Sequence, residues 1–135
     1  MKLYTQLNFG GNCEEAFRYY EKYLGGTVTV MLRQADGPPD ARRNLDQAIM
    51  HARMTVAGVE LIGNDVPLEK FQRVRSSYLY LEADSTEHAE KLWAALADGG
   101  EVTWPIGEQF FATRFGQLRD RFGVLWSVIH PKTMG

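Results

Sequence analysis

The stretch Tyr4-Thr5-Gln6-Leu7-Asn8-Phe9-Gly10-Gly11-Asn12-Cys13-Glu14-Glu15-Ala16-Phe17 changes its period in the middle. From Tyr4 to Phe9 polar and apolar residues alternate. Tyr4, Gln6 and Asn8 fall on one face and Leu7 and Phe9 on the other, as in a half-buried strand. A helix start follows, with Asn12 as N-cap and Glu15 in the capping-box position. Ala16, Phe17, Tyr20 and Leu24 then recur at helical spacing until Gly25-Gly26 ends the run. Thr27 to Arg33, rich in β-branched residues, reads as a second strand.

The same order returns later in the chain. Tyr78 to Ala83 alternates, with Tyr78, Tyr80 and Glu82 on one side and Leu79, Leu81 and Ala83 on the other. Asp84 caps with Glu87 three residues on; Ala89, Leu92, Trp93 and Leu96 form an apolar stripe, Gly99-Gly100 ends it, and a strand starts at Glu101 to Trp104. Tyr4 and Tyr78, Leu7 and Leu81, Gly26 and Gly100, and Val28 and Val102 are each 74 residues apart. Each half continues into two short strands around a turn ending in Gly-Val, at Gly58-Val59 and Gly123-Val124, where the offset is 65. The shortfall falls in the loop Gln34 to Asp46, whose Asp36-Gly37-Pro38-Pro39-Asp40 is turn chemistry.

The expected architecture is therefore a mixed α/β (α+β) fold. One domain over 1–135 is built from two βαβββ modules, 1–66 and 75–135, joined by a linker near Asn64 to Ser76. Neither module alone is expected to bury enough surface, so the two share a curved mixed sheet with the helices on its convex face. Strand geometry then sends Tyr4, Gln6, Asn8, Tyr78, Tyr80 and Glu82 to the open, cup-like face.

Composition excludes several classes of function. With 44% hydrophobic and 24% charged residues the chain is expected to build a packed core, unlike a disordered segment. Fifteen Lys+Arg against 17 Asp+Glu give a net charge of −2 without a basic run, so no nucleic-acid partner is expected. The longest apolar run, Leu92 to Ala97, is too short to cross a bilayer, and the first residues show no apolar leader. With one cysteine, Cys13, the chain forms no intrachain disulfide, and a cytoplasmic location without membrane partners is expected.

The segments Leu7-Asn8-Phe9-Gly10-Gly11-Asn12-Cys13-Glu14-Glu15-Ala16, Tyr19-Tyr20 before Leu24-Gly25, Phe110-Phe111-Ala112-Thr113-Arg114-Phe115-Gly116, and Asp120-Arg121-Phe122-Gly123-Val124-Leu125-Trp126 stand in an order that resembles the vicinal oxygen chelate superfamily. That superfamily holds glyoxalases, bleomycin-resistance proteins and extradiol dioxygenases. Within it the chain resembles the PhnB-like branch, sometimes labelled 3-demethylubiquinone-9 3-methyltransferase. The resemblance implies a glyoxalase-like fold, a homodimer and a small-molecule ligand in the sheet cup. It also implies metal ligands, His on the first strand of a module and Glu on its last. Here those positions read Tyr4, Tyr78, Ile62 and Ser127, so no metal and no other cofactor is expected. The methyltransferase label is not carried over, because the Gly-rich strand-to-helix turn and parallel array of common S-adenosylmethionine enzymes are missing.

The ligand-binding candidates are Tyr4, Gln6, Asn8, Arg53, Tyr78, Tyr80 and Arg114, aromatic walls with a few polar groups of the kind that orient small molecules. Arg53 shares a strand face with His51 and Thr55 and suits an anionic or polar ligand or, equally, a surface ion pair. Trp104, Phe110, Phe111 and Trp126 read as pocket, core or dimer surface. His51, His88 and His130 lack ligand spacing, and Glu60 and Glu82 are the carboxylates nearest the open face. Cys13, in the first helical turn beside Glu14 and Glu15, reads as structural. Two classes of function remain: a metal-independent binding protein, and a lyase, glyoxalase or dioxygenase with an atypical site drawing on His51, Glu60 or Glu82.

Overall fold

A computed structural model describes residues 1–36 and 47–133. Beyond Asp36, the turn read in the first-module insertion lies outside the described residues. The chain divides into two compact units, Met1–Gln72 and Arg73–Gly135. The first runs β1 (Thr5–Phe9), α1 (Cys13–Leu24), β2 (Thr27–Arg33), β3 (Ile49–Val56) and β4 (Val59–Asp65). The second runs β5 (Leu79–Glu82), α2 (Thr86–Ala97), β6 (Glu101–Gln109), β7 (Ala112–Arg119) and β8 (Leu125–Pro131). Both are βαβββ. The two modules form two four-stranded mixed sheets, ordered β1-β4-β3-β2 and β5-β8-β7-β6, because each first strand pairs with the last strand of its own module. That contact is parallel and the others are antiparallel. The expected linker starts too early: Asn64 and Asp65 belong to β4.

The repeat holds down to single cross-strand pairs. Thr5↔Leu61, Gln6↔Ile62 and Leu7↔Gly63 in one unit match Leu79↔Trp126, Tyr80↔Ser127 and Leu81↔Val128 in the other, at the 74 and 65 offsets. The strand before the hairpin departs by one residue: Arg53↔Ile62 matches Gln117↔Ser127, an offset of 64. The turn absorbs the difference. In the first unit Val56 pairs directly with Val59 across Ala57 and Gly58, both with positive φ, which a two-residue hairpin turn needs. In the second, Arg119 pairs with Leu125 across a longer turn held by Asp120.

Both helices end as read, with Gly25 and Gly99 at φ 74. Their starts differ from the reading. Asn12 makes no side-chain cap; instead Asp65, at the end of β4, accepts the N–H groups of Gly11 and Cys13 and also that of Ile49. In α2 the cap is Ser85, whose Oγ accepts from the His88 N–H, and the His88 ring accepts from the Asp84 N–H.

Each helix covers one sheet face. From α1, Cys13, Ala16, Phe17 and Tyr20 are buried, with the Phe17 ring edge-on to Phe9 at 6.1 Å. Gly63 makes that closeness possible, since a Cβ there would stand 2.6 Å from Phe17 Cζ. From α2, Ala89, Leu92 and Leu96 are buried, and Trp93 lies over Gly116, where a Cβ would come within 2.7 Å of its ring. Each fully buried large side chain contributes about 1.5–3 kcal/mol, so these faces hold the units together. The polar faces opposite the helices are left to other uses.

Candidate functional site

On the face of the first sheet away from α1, β1, β4 and β3 lie side by side and bring Gln6, Ile62 and Arg53 into one cross-strand row. Arg53 carries the charge in this row. Its Nε lies 2.7 Å from Glu60 Oε1, and its guanidinium sits over the Tyr4 ring, 5.2 Å from the centroid. Both charged side chains keep about 30% of their surface, 31% for Arg53 and 28% for Glu60. A cation over an aromatic face contributes about 0.5–1 kcal/mol at such exposure. One residue pair further along, Gln6 Nε2 donates to Asn64 Oδ1 at 2.8 Å.

Of the expected ligand-binding residues, the structure thus brings together Tyr4, Gln6 and Arg53, and places Asn8 exposed opposite Asn64 on the same strand pair. The sequence reading passed over Asn64 as linker and gave Glu60 little weight. The alternation of Glu60, Ile62 and Asn64 was the signal that could have found them.

In the second unit Tyr78 lies just before β5, 37% exposed, and Tyr80 lies on it, paired with Ser127 and 62% exposed. There the position equivalent to Arg53 is Gln117, whose Nε2 donates to Ser127 Oγ at 3.0 Å. Phe115 adjoins Trp104 and Phe111, with ring centroids at 6.3 and 5.2 Å.

Arg114 does not join this set. It shares a strand face with Gly116, which lies under α2, and its Nε donates to Glu90 of that helix at 2.7 Å. Trp126 is core, with its indole N–H donated to buried Asp120. Trp104 and Phe110 stay 47% and 89% exposed.

Burial, with Asp65 and Glu14 adding to it, pushes the Cys13 thiol up to about 12, so it stays protonated and unreactive at neutral pH. Among the described residues no group of three His, Cys, Asp or Glu side chains comes together as a metal site. Tyr4, Ile62, Tyr78 and Ser127 offer neither imidazole nor carboxylate, and Glu60 is engaged with Arg53. This donor set does not fit the metal that enzymes of the resembled superfamily use. No described helix is long and apolar enough to cross a membrane.

A family model described as 3-demethylubiquinone-9 3-methyltransferase matches residues 1–129. The chain is similar to protein PA1353 of Pseudomonas aeruginosa, with 38% identity, a TM-score of 0.88, and 96% of this chain and 97% of that one covered. It is similar to the PhnB protein of Bacillus cereus at 26% identity, TM-score 0.85, covering 96% and 99%. Protein YjdN of Escherichia coli K12 is 28% identical over 95% of this chain and 94% of its own. At 17% identity and a TM-score of 0.67, a glyoxylase/bleomycin resistance protein/dioxygenase domain from Frankia sp. EAN1pec shares the fold, with 98% of each chain covered.

Proposed function

The chain belongs to the PhnB-like, 3-demethylubiquinone-9 3-methyltransferase family on the glyoxalase/bleomycin resistance/dioxygenase fold, and from that premise we propose that its open sheet face binds a small organic ligand without a catalytic metal. The observation that carries this reading is the cluster of Tyr4, Arg53, Glu60, Gln6 and Asn64 on the side of the sheet that the helix leaves free. Aromatic surface beside a few oriented polar groups is the usual make-up of a small-molecule site.

The methyltransferase activity in the family's description is not part of the proposal. Each sheet is four-stranded and mixed, whereas the common S-adenosylmethionine fold presents the cofactor at a Gly-rich turn of a parallel array.

The test has two parts. Protein purified without chelator is expected to carry less than stoichiometric zinc, manganese, iron or nickel. Arg53→Ala and Tyr4→Ala are expected to weaken a ligand found by thermal-shift screening while the fold persists. A stoichiometric metal lost on changing Glu60 or His51 to Ala favours instead a metal-dependent lyase, glyoxalase or dioxygenase.

A cytoplasmic homodimer completes the proposal. Val102 and Trp104 are 45% and 47% exposed on β6, an edge strand, and such aromatic surface is enriched where chains associate. Sedimentation at micromolar concentration is expected to give twice the 15.3 kDa chain mass; a monomer mass contradicts the dimer.

A further inference from the structure

The open face of the first unit presents a cation already answered by an anion. Arg53 Nε stands 2.7 Å from Glu60 Oε1, so the pair adds no net charge to the site. The contact is one of charge and not of direction: Arg53 Nε is a buried polar atom whose N–H meets no acceptor at hydrogen-bonding geometry.

Next to it, Gln6 Nε2 is spent on Asn64 Oδ1. Gln6 Oε1 and Asn64 Nδ2 remain, one acceptor and one donor, without a partner among the described residues. In the second unit the equivalent of Arg53 and Ile62 is the uncharged pair Gln117 and Ser127.

We propose that the open face of the first unit takes a neutral, planar ligand with a carboxamide or lactam edge, and that Glu60 is the specificity-determining residue that turns anions away. This rests on the ligand-binding reading above and narrows it. A carboxamide carries one acceptor and one donor side by side, the complement of what Gln6 and Asn64 leave open, and the Tyr4 ring, 38% exposed beside Arg53, offers aromatic surface next to them. A carboxylate or phosphonate brings only acceptors, leaves a Gln6 carbonyl facing a negative charge, and meets Glu60 beside the one cation that would hold it. The negative charge of such a ligand is repelled by Glu60, which the neutral ligand avoids.

The experiment is a titration of the ¹⁵N-labelled full chain at pH 7 with benzamide and, separately, with benzoate, read as amide shifts on β1, β3 and β4. Benzamide is expected to bind at least tenfold more tightly than benzoate, and Gln6→Leu to weaken benzamide at least fivefold. Glu60→Gln is expected to tighten benzoate at least tenfold. Benzoate binding the natural chain as tightly as benzamide overturns the charge class, and this comparison needs no variant to fold. So does a folded Glu60→Gln chain with benzoate affinity unchanged. If benzoate binds in an Arg53-dependent way, the ligand-binding reading stands while this narrowing fails; if neither probe shifts these strands up to its solubility limit, both fail.

Discussion

Replacing Asp120 by Ala is expected to cost about 3–5 kcal/mol and to lower the melting temperature by roughly 10–20 °C. Asp120 is 5% exposed and accepts three hydrogen bonds, from the N–H groups of Phe122 and Val124 and from the Trp126 indole. Phe122, Val124 and Trp126 are themselves buried, so water cannot replace the lost acceptor. Each stranded donor costs about 1–3 kcal/mol, and the three are coupled through one turn, so the sum is reduced. Asn should recover part of the loss by keeping one acceptor oxygen. Differential scanning calorimetry of the two variants decides the matter: a loss below about 1 kcal/mol for the Ala variant contradicts the buried network.

Phe17→Ala is expected to cost a further large amount, about 3–5 kcal/mol. The ring is fully buried, edge-on to Phe9 and tilted against Tyr20. Its partner in shape is Gly63, where an added methyl meets Phe17 Cζ at 2.6 Å and Cys13 Sγ at 3.0 Å. Gly63→Ala by itself should therefore cost about 1–3 kcal/mol through overpacking. In the double variant the methyl enters the space the ring has left, and the total should fall short of the sum by about 1 kcal/mol or more. Urea unfolding of the four proteins measures the coupling. Strict additivity would mean that ring and glycine do not compete for one space.

Much of this fold is legible in the sequence because its strands are short, alternating and repeated. Leu7 and Phe9, or Leu79 and Leu81, announce their face by period alone, and the 74-residue offset ties the two halves together without any knowledge of strand pairing. The helix starts were less legible, for a local reason and a distant one. Asp84 and Ser85 are adjacent cap formers; Glu87 favoured Asp84 as a capping box, yet Ser85 takes the N–H of His88. Asp65 closes α1 from 52 residues away, which no local pattern can register.

The site was read in part for the same reason. Tyr4, Gln6 and Arg53 follow from alternation, and Glu60 and Asn64 follow from the same alternation once β4 is extended through Asp65, where it pairs with β3 and β1. Arg114 was grouped by composition with its aromatic neighbours, although its place two residues before Gly116 sends it toward α2 and Glu90.

The one-residue discrepancy at the hairpins has an evolutionary reading. Strands on both sides of the turn keep their partners in both units while the tip changes length by one residue, from Ala57-Gly58 between Val56 and Val59 to Arg121-Phe122-Gly123 between the matching Asp120 and Val124. An insertion there alters neither the sheet register nor which face a side chain occupies. The tip between β3 and β4, exposed at both its residues, is therefore a port: lineages can lengthen it, and an engineer can splice a peptide into it, without disturbing the row of residues that Gln6, Ile62 and Arg53 form across the sheet.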